Sequence, residues 1–68
     1  MIYENVEAIA IKRGISLAEV ERKANLSKGA ITKWKTASPT IKSLLAVSNV
    51  LEVSIEDLTK SEGSESND

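Results

Sequence analysis

The chain has no cysteine and no histidine among its 68 residues. Without thiols there is no disulfide framework and no thiolate metal site. Without imidazole, most zinc chemistry and most nucleophile–base catalysis lack their usual ligand or base. Acidic pairs are nearly missing as well: Glu56 and Asp57 form the one adjacent pair before the terminal segment. Carboxylates at a helix start are explained by the macrodipole, and a metal would need more convergent oxygens. No enzyme, no cofactor and no metal are therefore expected. No apolar run approaches the roughly 18 residues of a membrane span, and the N-terminus lacks a signal-peptide pattern. The expectation is a soluble cytoplasmic protein, one small domain that buries only about 60% of its unfolded surface.

Charge is balanced in total but not in distribution. The net value is −1 with a pI near 5.4, which by itself disfavours a nucleic-acid partner. From Arg22 through Leu51, however, stand Arg22, Lys23, Lys28, Lys33, Lys35 and Lys42 with no carboxylate. From Glu52 onward come Glu52, Glu56, Asp57, Glu62, Glu65 and Asp68 against Lys60 alone. Such asymmetry is more informative than the sum.

Every apolar segment has helical spacing and none sustains strand alternation. Ile2, Val6, Ile9 and Ala10 form one helical stripe, ended by Lys12-Arg13-Gly14. Ser16-Leu17-Ala18-Glu19 reads as a capping box opening a second helix, with Leu17, Val20 and Ala24 inward. Asn25 should stop it, because asparagine tolerates the left-handed conformation. Leu26 then packs inward, and Ser27 is placed to cap a third helix. Around Ser38-Pro39-Thr40 the chain turns again, with Thr40 slightly favoured over Ser38 as the next cap. A fourth helix runs to about Leu51 with Ile41, Leu44, Leu45, Val47, Ser48 and Leu51 inward. Ser54-Ile55-Glu56-Asp57 opens a short fifth helix, with Ile55 and Leu58 inward. The expected division is a domain over residues 1–59 and a disordered acidic tail over 60–68, since SEGSESND holds no apolar residue.

The third segment, Ser27-Lys28-Gly29-Ala30-Ile31-Thr32-Lys33-Trp34-Lys35, is the unusual one. On a wheel of about 100° per residue, Ala30, Ile31 and Trp34 cluster on one side. Lys28, Gly29, Thr32, Lys33 and Thr36 fill the other, with Lys35 at the edge. A solvated outer face is the ordinary explanation for lysines so placed. Glycine in an exposed first turn costs about 1 kcal/mol relative to alanine, yet a missing side chain lets another backbone approach closely. Threonines offer short hydroxyls for phosphates and base edges, and methyls for thymine.

These residues carry a resemblance. Residues 16–35 resemble the helix-turn-helix of the phage repressor and Cro family (Xre-type regulators), and the likeness extends over roughly residues 2–59. Its carriers are SLAEVERKANLS, then SKGAITKWK, SPT and LLAVSNVLEVSIEDL, in that order. The resemblance implies an all-α, five-helix, lambda-repressor-like domain with its helix-turn-helix at about 16–36. It also implies a sequence-specific regulator of transcription that binds double-stranded operator DNA, of the phage or mobile-element repressor type. The third helix would enter the major groove, with Lys28, Gly29, Thr32 and Lys33 at base edges. Ser16, Leu17, Ser27, Lys35, Thr36, Thr40, Ile41 and Lys42 would meet the DNA backbone, some through helix-start N–H groups. A homodimer is expected at least on DNA.

Four positions depart from the family pattern. Leu17 stands where glutamine is frequent, so only its main chain can meet phosphate. Glu21 replaces the usual alanine, which implies looser packing of the second helix on the third; like Glu4, Glu7 and Glu19 it reads as solvated or capping. Asn25 replaces a turn glycine, and Lys35 replaces a glutamate, which favours DNA. The competing reading is a helix-turn-helix module that holds a protein partner such as a toxin or co-repressor. Tyr3 and Ile11 are its candidate surface residues, although single exposed apolar side chains are common.

Overall fold

The computed structural model describes residues 2–60. These form four α-helices and one 3-10 segment: α1 (Ile2–Lys12), α2 (Leu17–Lys23), the 3-10 segment (Thr32–Lys35), α3 (Ile41–Leu51) and α4 (Ile55–Thr59). The all-α class and the order of five helical segments agree with the sequence reading. The expected tail lies outside the described residues apart from Lys60.

Three of the four helix starts that the sequence marks are capped by the residue expected, those at Ser16, Thr40 and Ser54. Ser16 Oγ accepts from the N–H of Glu19 at 3.1 Å, Thr40 Oγ1 from Ser43 at 3.1 Å, and Ser54 Oγ from Asp57 at 3.1 Å. Only the last is a full reciprocal box, Asp57 accepting from the Ser54 N–H. Glu19 instead faces Arg22 and Lys23 at 3.4 and 3.9 Å. Thr40, not Ser38, opens α3.

One device ends α1, α2 and α3 alike. After α1, Ile15 N–H bonds Ala10 C=O while Gly14 N–H bonds Ile11 C=O. After α2, Leu26 pairs with Glu21 and Asn25 with Arg22. After α3, Val53 pairs with Ser48 and Glu52 with Asn49. This six-to-one plus five-to-two pattern satisfies carbonyls that a helix end leaves open, and it demands one left-handed residue. Gly14, Asn25 and Glu52 supply it at φ of 71°, 65° and 59°. The next residue in each case, Ile15, Leu26 or Val53, turns apolar and packs against the core. Asn25 behaves as expected; Glu52 carries no sequence signal for the role.

The core consists of Val6, Ala10, Val20, Ala24, Ile31, Trp34, Leu44, Val47, Leu51 and Leu58. α1 packs against α4 and the 3-10 segment, and α3 against α2 and α4. Asn5 lies on the inward side of α1, and its amide donates to the carbonyls of Leu58 and Lys60, both at 2.8 Å. That ties down the end of a five-residue helix too short to persist on its own. Two inward expectations fail. Ile41 is 67% exposed and Leu45 48%, because α3 covers α2 and α4 with Leu44, Val47, Ser48 and Leu51 and turns its other side outward. Ser48 is buried as expected, bonded to Leu45 C=O. Ile11 is exposed, and Tyr3 is only partly so.

Left-handed geometry costs a non-glycine residue roughly 1–2 kcal/mol, and the exposed Arg13–Glu52 ion pair at 3.6 Å returns little of that. Glu52→Gly should therefore raise stability by about 0.5–1 kcal/mol, read as a higher urea midpoint with an unchanged slope. A lowered midpoint would mean that the Glu52 side chain contributes more than its backbone costs.

Candidate nucleic-acid interface

The segment expected to be a regular α-helix from Ser27 is not one. Lys28 through Ile31 form turns, and only Thr32–Lys35 is helical, with 3-10 character. Trp34 N–H bonds Ile31 C=O at 2.9 Å and Lys33 N–H bonds Ala30 C=O at 3.2 Å, both three residues back. Such a segment turns about 120° per residue rather than 100°, so side chains three apart are superposed. Ile31 and Trp34 are therefore stacked into the core, fully or nearly fully buried. Thr32 with Lys35, and Lys33 with Thr36, occupy the two remaining edges, and all four are exposed. The division into core and outward residues agrees with the sequence reading, although the helix type differs.

Ser27 does not cap this segment. Among the described residues the side chain that does so is Glu21, whose carboxylate oxygens accept from the N–H groups of Gly29 and Ile31, each at 3.0 Å. Glu21 is only 5% exposed, which overturns its reading as a solvated residue. The carboxylate thus ties α2 to the turn before the 3-10 segment through two hydrogen bonds. Burying a carboxylate costs several kcal/mol unless it is hydrogen-bonded, and two charge-assisted bonds to backbone offset that. The sequence shows an acid on α2 where a small residue is usual, but not the N–H groups it meets, which lie eight and ten residues ahead.

Gly29 also changes its meaning. Its φ is +83°, and a Cβ placed there would meet nothing within 4 Å. Within the protein the need for glycine comes from backbone conformation rather than crowding, and it belongs to the turn before the 3-10 segment rather than to a helical first turn.

The other candidate residues fall into groups. Ser16, Arg22 and Lys28 line one open groove together with Ala18, Glu19, Glu21 and Leu26. Lys35 and Thr36 line a second groove beside Ile2 and Trp34. The ammonium of Lys35 lies 4.9 Å from the Tyr3 ring centroid, a cation–π distance. This holds Lys35 toward α1 and also accounts for Tyr3. Thr36 Oγ1 makes a long 3.5 Å contact to Lys33 C=O. Thr40, Ile41 and Lys42 occupy the exposed start of α3, where the N–H groups of Ile41 and Lys42 have no intrahelical partner. Leu17, half-buried, starts α2 in the same way. Arg22 and Lys23 share Glu19, so the basic run contributes less positive field than its count implies. Lys28, Lys33 and Lys42 are exposed and form no ion pair among the described residues.

If Gly29 serves its φ, Gly29→Ala should cost about 1–2 kcal/mol of stability, and Gly29→Asn less, since asparagine tolerates left-handed geometry. Chemical denaturation of the two variants distinguishes this from a steric role, for which the larger asparagine would be the worse substitution.

The family comparison agrees with this geometry. A family model described as the Cro/C1-type HTH DNA-binding domain matches residues 5–62. No curated protein and no solved structure matches the chain. No helix among the described residues is long and apolar enough to cross a membrane. With α2, its left-handed turn at Asn25 and the core-anchored segment after it in place, the chain belongs to the Cro/C1-type helix-turn-helix DNA-binding domains.

Proposed function

We propose that the protein is a sequence-specific transcriptional regulator of the phage or mobile-element repressor type, acting in the cytoplasm as a homodimer on operator DNA. The observation that carries this reading is the segment after the turn. Ile31 and Trp34 fix it to the core, while Thr32, Lys33 and Thr36 stand exposed with Lys28 at its approach. Lys28, Thr32 and Lys33 are assigned to base edges. Gly29 stays at the groove as the turn that presents them, with its own N–H engaged by Glu21. Ser27, Lys35, Thr36 and Lys42 are assigned to phosphates, as are the first-turn N–H groups beside Ser16, Leu17, Thr40 and Ile41.

A single domain of this size makes few contacts, and family members commonly join two half-sites about 34–36 Å apart. Ile41 and Leu45, one turn apart and exposed on α3, supply an apolar surface for a protein contact. That surface also supports the second reading, a module that binds a protein partner, better than Tyr3 does.

Duplexes selected by the protein from a randomised library should shift in a gel, and binding should weaken steeply with salt, log K falling by about 0.9 per phosphate neutralised for each unit of log salt. Lys33→Ala should cost roughly 1–3 kcal/mol on the selected duplex and relax its preference at one base position. Equal weakening on random DNA would move Lys33 to the phosphate contacts. No shift even at low salt would refute DNA binding.

A further inference from the structure

We infer that Glu21 is a positioning residue for DNA readout: it locks the reading segment in place from beneath and keeps DNA phosphate off that segment's leading N–H groups. The inference rests on the DNA-binding function proposed above and deepens it.

Three observations carry it. First, the Glu21 carboxylate is divided between two N–H groups, Gly29 and Ile31, each at 3.0 Å. One bond fixes the left-handed turn at φ +83° and the other fixes the residue that enters the core. Second, among the described residues no other side chain caps this segment: Ile31 at its start has no side-chain cap bond. Glycine is the most permissive residue, so a turn built on it keeps one conformation only if something holds it. Third, the charge has the wrong sign for a surface that merely attracts DNA. A buried acid in the groove that Lys28 also lines lowers the local positive potential.

An anion at the start of a reading segment is ordinarily a DNA phosphate. Here the chain brings its own. The N–H groups of Gly29 and Ile31 are engaged before DNA arrives, which leaves phosphate to the lysines and to the starts of α2 and α3. Preorganisation of this kind raises apparent affinity by raising the fraction of protein in the competent conformation, and only for DNA that uses the oriented side chains.

The sign of the effect separates this from a charge effect. Glu21→Gln removes a negative charge, so charge alone would tighten binding to every DNA. Positioning predicts the reverse: affinity for the best library-selected duplex should fall about tenfold or more, the loss expected for a charge-assisted hydrogen bond. Affinity for poly(dI-dC) should hold or rise slightly. Amide hydrogen exchange on the free protein should show the Gly29 and Ile31 N–H groups protected in the wild type and faster in the variant, with the α3 amides unchanged. If Glu21→Gln does not fold by circular dichroism, Glu21→Asp carries the same comparison, since it keeps the charge but retracts the carboxylate. If neither folds, wild-type exchange decides: a Gly29 amide as labile as that of Lys28 overturns the inference, and a protected one supports it. A variant that binds the selected duplex as tightly as wild type, or tighter, overturns it even where the amides exchange faster. A wild-type protein that selects no duplex overturns the DNA reading itself, an outcome distinct from equal selection by both proteins.

Discussion

A carboxylate with two backbone N–H groups aimed at it is the contact on which the helix-turn-helix half of this molecule depends. Glu21 sits on the inner side of α2 and bonds across the turn to Gly29 and Ile31. Below that contact are Val20 and Ala24, and beyond it Ile31 and Trp34, all in the core. In effect α2, the turn and the 3-10 segment form one unit: Asn25 reverses the chain, Glu21 closes the reversal, and Trp34 seats its far end. A charged group inside a domain this small is tolerable because both its oxygens are occupied. Among the described residues, the other buried polar side chains bonded to backbone are Asn5 and Ser48.

The charge layout follows from the same arrangement. Acids and bases are sorted by depth as much as by sequence. Glu19 and Glu21 lie along α2, where the first holds Arg22 and Lys23 and the second holds backbone. Lys28, Lys33 and Lys42, which form no ion pair among the described residues, lie on the turn, the 3-10 segment and the start of α3. A protein with a net charge of −1 can present a basic surface if its carboxylates are occupied elsewhere, and much of the local acid here is. Lys35, turned over Tyr3, joins the segment to α1 rather than extending freely.

What could be read from the sequence was local. Ser16, Thr40 and Ser54 declare helix starts because a cap reaches only three residues ahead, and Asn25 declares a turn through its own backbone tolerance. Trp34 and Ile31 declare the core by spacing alone, since 100° and 120° wheels both place residues three apart on one side. The rest needed contacts between elements. Glu21 reaches eight and ten residues forward, so its role shows only when the turn is built. Asn5 bonds to carbonyls more than fifty residues away. Ile41 and Leu45 fit a helical stripe but face outward, because the stripe's width was read from the sequence and its coverage is set by α2 and α4.

The most direct test of the account is a titration of isotope-labelled protein with its selected duplex, followed by backbone amide chemical shifts. The account predicts that the largest changes fall on Lys28, Thr32, Lys33 and Thr36 and on the first turns of α2 and α3. Gly29 and Ile31, already bonded to Glu21, should move little. Changes concentrated on Ile11 or on the outward side of α3, with residues 28–36 silent, would contradict it.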